Sequence, residues 1–292
     1  MPGNFMLPRS KKTAFFLFTV FLLAVSCRKR DIPVPAYVHI PSMELAAKPG
    51  EGTSESALEF VTVFMNDNPL GTFPVPCTFP VLASGPVRLD FRPRIKQMAR
   101  DGMQYYTLLE AYSEVVDLAE KQVDTVRPAF EYVSNREFVW LEDFNNNTAS
   151  LTLKLGTMDT FYVENKPEIS LDGTPYLRIP MESGESYFEL ESADIFNLPM
   201  DGRDVYLEIH YKTNITFTVG LYASNSQQVV AIPSASPYST GLEWRKGYIY
   251  LRDDVVGNNP DTRFRIFFRA FNTEAGVPEI YIDNIKLLYR KS

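Results

Sequence analysis

Along the C-terminal half of the chain, apolar and polar residues alternate with a period of two. Val205, Leu207, Ile209 and Tyr211 point one way and Tyr206, Glu208 and His210 the other; after a turn at 212–214, Ile215, Phe217, Val219 and Leu221 repeat the pattern. Phe264, Ile266, Phe268 and Ala270 make another apolar face, with Arg263, Arg265, Phe267 and Arg269 on its reverse. Such alternation predicts strands with one face in a core. Ile280 and Ile282, then Ile285 and Leu287, stay on one face only if the strand shifts register at Asp283-Asn284, which predicts a β-bulge there. The run Phe138-Val139-Trp140-Leu141 is apolar throughout and leads through Glu142-Asp143-Phe144 into three asparagines, a strand followed by a loop. Many short strands with polar reverse faces predict an antiparallel sandwich over 138–292.

The N-terminal half carries the same period in shorter pieces. Residues 37–40 alternate, 58–65 form an apolar run rich in Val and Phe, and Asn66-Asp67-Asn68-Pro69-Leu70-Gly71 is a turn cluster. Val87, Leu89 and Phe91 alternate with Arg88, Asp90 and Arg92, a half-buried strand with a charged outer face. Pro74, Pro76 and Pro80 mark an edge or an irregular crossing, because proline has no N–H to give to a ladder. Leu108, Leu109, Tyr112, Val115, Val116 and Ala119 fit a helical stripe and two short strands about equally. The expected class is all-β: a small β-sandwich at 37–135 followed by a larger antiparallel one at 138–292.

Ahead of these lies a different kind of segment. Arg9, Lys11 and Lys12 precede an apolar run at 13–25 that ends in small residues before Cys27. As a helix the run rises about 20 Å against roughly 30 Å of bilayer hydrocarbon, too short to span, so residues 1–26 read as a secretory signal peptide. Leu23-Ala24-Val25-Ser26-Cys27 resembles a bacterial lipobox, in which the thiol is acylated and the chain is cut just before it. The resemblance implies a lipid anchor on Cys27, where several acyl chains hold firmly and a single one binds only marginally. It implies an outer-membrane location, with the cell surface the expected side and the periplasmic face left open by the basic start Arg28-Lys29-Arg30-Asp31. Residues 27–36, with Pro33 and Pro35, form a short, stiff tether whose basic cluster suits phosphate-bearing headgroups or plain solvent.

Composition narrows the chemistry. The 292 residues include 21 Phe, 16 Tyr and 21 Pro but only 2 His and 2 Cys. A zinc site of His and Cys would need nearly all four, and once Cys27 carries lipid, Cys77 has no disulfide partner. Removing residues 1–26 takes away three positive charges and no negative ones, moving the formal charge from −7 to −10. A body so acidic repels nucleic acid and anionic lipid headgroups, with the basic cluster Arg28-Lys29-Arg30 the exception. The chain has no Gly-Xaa-Ser-Xaa-Gly elbow, Walker loop or His-Glu-Xaa-Xaa-His helix. Glu189 and Glu191 share one strand face, as in paired-carboxylate glycosidases, but Leu190 stands where laminarinase-like enzymes place an aspartate, so the expectation is a protein that is not an enzyme.

Two family resemblances are carried by longer stretches. The order Tyr37-Val38-His39-Ile40, Met65-Asn66-Asp67-Asn68-Pro69-Leu70-Gly71, Phe79-Pro80-Val81-Leu82-Ala83-Ser84-Gly85 and Arg92-Pro93-Arg94-Ile95-Lys96 resembles Bacteroidota lipoproteins whose N-terminal domain is similar to PEGA and immunoglobulin-like β-modules. It implies strands rather than a helix at 107–126. Leu141-Glu142-Asp143-Phe144 and Ile280-Tyr281-Ile282-Asp283-Asn284-Ile285 resemble the first and last strands of galactose-binding-like jelly rolls, a fold shared by many carbohydrate-binding modules. That resemblance implies a structural calcium on Glu142, Asp143 and Asp283, whose hard oxygens suit the ion; the alternative is loop solvation. Asp124-Thr125-Val126 resembles the short Bacteroidota O-glycosylation sequon, which would make Thr125 the acceptor.

The candidate ligand or partner face is the polar reverse of the larger domain: Tyr206, Glu208 and His210 on one strand, Arg263, Arg265, Phe267 and Arg269 on a second, Tyr248 and Tyr250 on a third. Rings beside charged groups offer a sugar flat apolar surfaces and bidentate partners for its hydroxyls. The same residues also serve an exposed sheet as cross-strand pairs. Two functions are expected from this: an accessory subunit packing against other outer-membrane proteins in a transport, secretion or assembly complex, which the lipid tether and paired β-modules favour, or a surface glycan-binding protein using this face.

Overall fold

The computed structural model describes residues 33–184, 186–273 and 276–292; the expected signal peptide, Cys27 and the basic cluster after it lie outside the described residues. The strands β1 (Ala36–Ile40), β2 (Glu44–Leu45), β3 (Phe60–Met65), β4 (Asn68–Pro74), β5 (Cys77–Val81), β6 (Gly85–Lys96), β7 (Met103–Tyr105), β8 (Tyr112–Leu118), β9 (Val123–Thr125) and β10 (Ala129–Phe130) form ladders only among themselves. The long β6 organises this body: β3 pairs along one side, and β8 and β7 share the other, β8 at residues 85–91 and β7 at 94–96. Its Leu89, Phe91 and Ile95 are buried while Arg88 and Arg92 stay out, the period read from the sequence. Against this sheet packs a three-stranded one in the order β5-β1-β9, with β1 antiparallel to β5 and parallel to β9. Segment 107–126 is not helical: Leu108 and Leu109 sit buried in a turn and β8 begins at Tyr112.

The second body comprises β11 (Arg136–Glu142), β12 (Leu151–Leu153), β13 (Tyr162–Glu164), β14 (Tyr176–Pro180), β15 (Ser186–Ser192), β16 (Val205–Thr213), β17 (Thr218–Ser224), β18 (Val229–Ala235), β19 (Arg245–Tyr250), β20 (Arg263–Asn272) and β21 (Glu279–Arg290). They form two antiparallel sheets in jelly-roll fashion, β13-β14-β21-β16-β19 with β11 also on β21, and β12-β15-β20-β17-β18. The inner faces meet in one core that includes Phe188, Leu190, Leu207, Ile209, Phe264, Phe268, Ile282 and Ile285. Each such side chain, sealed from water, contributes about 1.5–3 kcal/mol of transfer free energy. The bulge falls where the sequence requires it: Glu208 faces Lys286 and His210 faces Asp283, so two residues of β21 oppose the single Ile209, and Asn284 takes φ 49°. Bulging returns Ile285 to the core side and turns Lys286 outward.

The two bodies share a boundary without solvent. Tyr206, Tyr248 and Leu288, all on the outer face of the first sheet, belong to the same buried apolar cluster as Val61, Phe91 and Leu108 of the N-terminal body. Met98 donates its backbone N–H to the Tyr248 carbonyl at 2.8 Å, and Gln97 forms a parallel bridge with Tyr248.

Candidate functional site

The nine residues expected on one face lie on two. Tyr206, Glu208 and His210 are on β16 with Tyr248 and Tyr250 beside them on β19, in the first sheet. Arg263, Arg265, Phe267 and Arg269 are on β20, in the second sheet. Since both sets point away from the shared core, they sit on opposite outer surfaces of the sandwich. A period-two pattern tells inside from outside for each strand, but it does not say which sheet a strand joins.

The first outer face is covered by the N-terminal body. Glu208 is buried, its Oε2 2.8 Å from Lys246 Nζ, and its Oε1 accepts hydrogen bonds from Tyr106 and, at 3.0 Å, from Tyr132. Burial alone would raise the carboxyl's pKa, but Lys246, Lys286 and the Tyr106 hydroxyl together hold it below the usual carboxylate range. Lys286 donates to the Thr53 carbonyl at 2.7 Å, and desolvation pushes its pKa down to about 8. Tyr206 accepts from Gln97 Nε2 at 2.9 Å, Tyr248 accepts from the Ala57 N–H at 3.2 Å, and Tyr250 donates to Asp204. Next along the face His210 and Asp283, cross-strand neighbours, are buried as well. Desolvation drives the imidazole down to about 2 and the Asp283 carboxyl up to about 8, so near neutral pH both are uncharged. This face is an interdomain seam. A sugar cannot reach Tyr206, Glu208 or Tyr248 while the N-terminal body is docked, and His210 is buried beside them.

The second outer face is open. Arg269 Nε donates to Glu189 Oε2 at 3.0 Å and its NH2 to the Tyr222 hydroxyl at 3.0 Å, while that hydroxyl donates to Glu189 Oε1. Lys154 Nζ reaches Glu191 Oε2 at 2.7 Å and lies 4.3 Å from the centre of the Tyr222 ring; Arg265 Nε is 3.9 Å from the other oxygen of Glu191. The carboxylates lie low and the cations high: Glu189 and Glu191 side chains are 3% and 16% exposed, against 33% for Arg265, 33% for Arg269 and 38% for Lys154. Phe267 is the floor, fully buried beneath Tyr222 and Arg269. Gly220 makes room for it, since a Cβ there would stand 2.6 Å from the Phe267 ring and 2.2 Å from the Ile232 carbonyl oxygen. Toward one end Tyr187 and the exposed ring of Phe271 lie 6.3 Å apart, beside a cleft of about 450 Å³ lined by Asn214, Thr216, Ser239, Phe271 and Asn272. Arg263 lies at the far end, turned back to the Thr262 carbonyl at 2.9 Å.

Glu189 and Glu191 do share a strand face, yet each is engaged by cations rather than poised as an acid and nucleophile pair. The sequence set them aside as a catalytic pair because of Leu190, but did not show their place as the anionic layer beneath Arg265, Arg269 and Lys154. Tyr222 was within reach of the alternation that placed Leu221 inward, whereas Lys154 lies past the end of β12 and carried no periodic signal. Tyr106, Tyr132 and Lys246 were invisible because their role exists only across the seam.

The acidic trio is not gathered. Glu142 accepts from the N–H of Phe144 at 3.0 Å and of Ser150 at 2.6 Å, closing the asparagine loop, and Asp143 accepts from the Asn145 N–H at 3.1 Å at the surface. Asp283 is buried on the outer face of the first sheet, opposite His210, taking the Asn284 N–H at 2.7 Å. Among the described residues, no three His, Cys, Asp or Glu side chains converge on a point that could hold a metal. Thr125 is exposed at the end of β9, and Cys77 is half-buried with its thiol pushed up by desolvation.

No family model matches the chain, and no curated protein matches it. Among solved structures it is similar to a carbohydrate-binding module in a study of promiscuous specificity in the β-sandwich superfamily, at 16% identity and TM-score 0.39 over 82% of this chain and 86% of that one. It is also similar to the CBM22-1–GH10 modules of Clostridium thermocellum xylanase 10B complexed with xylohexaose, at 15% identity and TM-score 0.40 over 53% of this chain and 28% of that one. A third is TmCBM61 with β-1,4-galactotriose, at 15% identity and TM-score 0.35 over 51% of this chain and 95% of that one. At such scores the likenesses transfer no residue role and no ligand to this chain.

Proposed function

We propose that this chain is a non-catalytic glycan-binding protein that uses the outer face of the second sheet, held at an outer membrane by lipid on Cys27. The observation that carries the reading is the contrast between the two outer faces. One is sealed by the N-terminal body, while the other keeps its guanidinium and ammonium groups above their carboxylates, with Tyr222, Tyr187 and Phe271 among them. Raised N–H donors satisfy hydroxyl oxygens, and the exposed ring of Phe271 offers a flat apolar surface to the C–H face of a pyranose. The test is a glycan array followed by calorimetry on the best hit. Binding is expected to fall at least tenfold with Arg269→Ala and with Tyr222→Ala, and to survive Val115→Asp on the N-terminal body. A chain that binds no glycan on a broad array loses this reading.

A second reading, an accessory subunit of an outer-membrane complex, is favoured by the exposed Val229 and Val230 on β18, the outermost strand of the second sheet. Mild-detergent purification from native membranes tests it: stoichiometric outer-membrane partners support it, and a lone monomer counts against it.

A further inference from the structure

The β5-β1-β9 sheet of the N-terminal body has an outer face graded in polarity. Its cross-strand register sets Pro80, Tyr37 and Val123 in one row and Thr78, His39 and Thr125 in the next. Leu82, one step past β5, and Val34, just ahead of β1, extend the apolar end. Val34, Tyr37, Leu82 and Val123 are 37%, 36%, 63% and 58% exposed. They gather where the chain enters the body, and the turn between β8 and β9 is tied to that entry: Lys121 N–H donates to the Pro35 carbonyl at 3.0 Å and Tyr37 N–H to the Gln122 carbonyl at 2.8 Å. The adjoining charges, Glu120 and Lys121, are both exposed and cancel.

Sequence length says what this end faces. Six peptide steps separate Cys27 from Pro33, and at about 3.6 Å each they reach at most about 20 Å. If Cys27 is acylated, Pro33 is held within that reach of the lipid surface; the apolar row follows four residues on at Tyr37, and the polar row lies one residue pair further along the strands. Arg28, Lys29 and Arg30 fall in the same interval, where cations are attracted to anionic headgroups. A tyrosine ring between apolar neighbours suits the headgroup layer, apolar body inward and hydroxyl in water.

We propose that the apolar end of the β5-β1-β9 face docks on the lipid headgroup layer, so that the anchor fixes the orientation of the body and does not merely tether it. The inference rests on lipidation of Cys27 and is independent of glycan binding. The test uses the full lipoprotein in a Cys77→Ser background, floated with vesicles of phosphatidylethanolamine and phosphatidylglycerol. An environment-sensitive fluorophore is placed at Val123→Cys or, as a reference, at Val115→Cys, exposed on the other sheet. Docking predicts a blue-shifted probe at 123 that loses most of its emission to a lipid-borne quencher, while the probe at 115 keeps the spectrum it has in water. Adding Leu82→Asp to Val123→Cys is expected to restore much of the emission at an unchanged melting temperature. A chain that floats while the probes at 123 and 115 behave alike overturns docking and leaves lipidation intact. A chain that fails to float removes the tether and overturns the proposal with it.

Discussion

The two outer faces of the C-terminal sandwich are made of the same ingredients and behave as different materials. On each, a glutamate on a central or near-central strand is bracketed by cations and a tyrosine hydroxyl: Glu208 by Lys246, Lys286, Tyr106 and Tyr132, Glu189 by Arg269 and Tyr222. What differs is the neighbour. A second domain removes the first face from water, so its charges attract strongly, but each carries a desolvation cost that only a complete set of partners offsets. On the second face Arg265, Arg269 and Lys154 keep contact with water, and their pairings are correspondingly weak and exchangeable. Exchangeability is what a ligand needs, since a hydroxyl can replace a water at little cost. Identical alternation in the sequence thus yields structural glue on one side and, on the proposed function, a binding surface on the other.

The comparison breaks most readily at Glu208. Glu208→Ala leaves Lys246 and Lys286 buried without their counter-charge and is expected to cost about 3–5 kcal/mol in urea denaturation. Glu189→Ala, whose partner Arg269 can turn to solvent, is expected to cost about 1–2 kcal/mol. Equal losses would mean that the seam is no drier than the open face.

A second test uses pH, because the outer face of the first sheet holds Asp283, His210 and Lys286, whose folded values lie far from their unfolded ones. Folded Asp283 keeps its proton up to about pH 8, whereas an unfolded aspartate releases it near 3.8, so the folded state binds more protons between these values and stability falls as pH rises through them. His210, driven from 6.5 to about 2, acts in the opposite sense and offsets Asp283 up to about pH 6.5. Lys286, lowered from 10.5 to about 8, makes the unfolded state the better proton binder between those values, so stability recovers there. A melting temperature that drops between pH 6.5 and 8 and climbs above 8 is the expected profile. Asp283→Asn should flatten the falling limb and leave the climb; a profile unchanged by that substitution would remove Asp283 from the account.

How much of this was legible in the sequence follows from what alternation encodes. The inward sets on β16, β17 and β20 were legible because each strand carries its own inside and outside. The bulge at Asp283-Asn284 was legible because a register shift leaves a trace in the apolar period. Sheet membership was not, since β16 and β20 alternate alike and nothing local says that β21 lies between β14 and β16 while β20 lies between β15 and β17. Nor was the burial of Glu208, which depends on Tyr106 and Tyr132 far earlier in the chain. Glu142 illustrates the other limit: the sequence leaves a calcium ligand and a loop carboxylate both open, and only the fold shows it closing its own loop through the N–H groups of Phe144 and Ser150.

On the open face the expected effect moves from stability to binding. Arg269→Lys keeps the charge but loses the fork that spans Glu189 and Tyr222, and is expected to weaken glycan binding several-fold while shifting the melting temperature by only a few degrees. Tyr206→Phe, its counterpart at the seam, is expected to cost about 0.5–1.5 kcal/mol of stability through the lost Gln97 hydrogen bond and to leave binding unchanged. If the two variants exchanged phenotypes, the assignment of glue and binding surface would be reversed.

The smallest effect separates the faces by screening. Lys154→Ala removes the ion pair to Glu191 at 2.7 Å, but with the lysine side chain 38% exposed the cost is about 0–1 kcal/mol and depends on salt. At 1 M salt the Debye length is about 3 Å, so the difference between Lys154→Ala and the parent chain is expected to vanish. The destabilisation caused by Glu208→Ala should persist at the same ionic strength, because counter-ions do not enter a seam closed by Tyr106, Tyr132 and Tyr248. Denaturation of both variants at low and high salt reads this directly. Loss of the Glu208→Ala effect in salt would show that ions reach the seam, and with that the physical distinction between the two faces would fail.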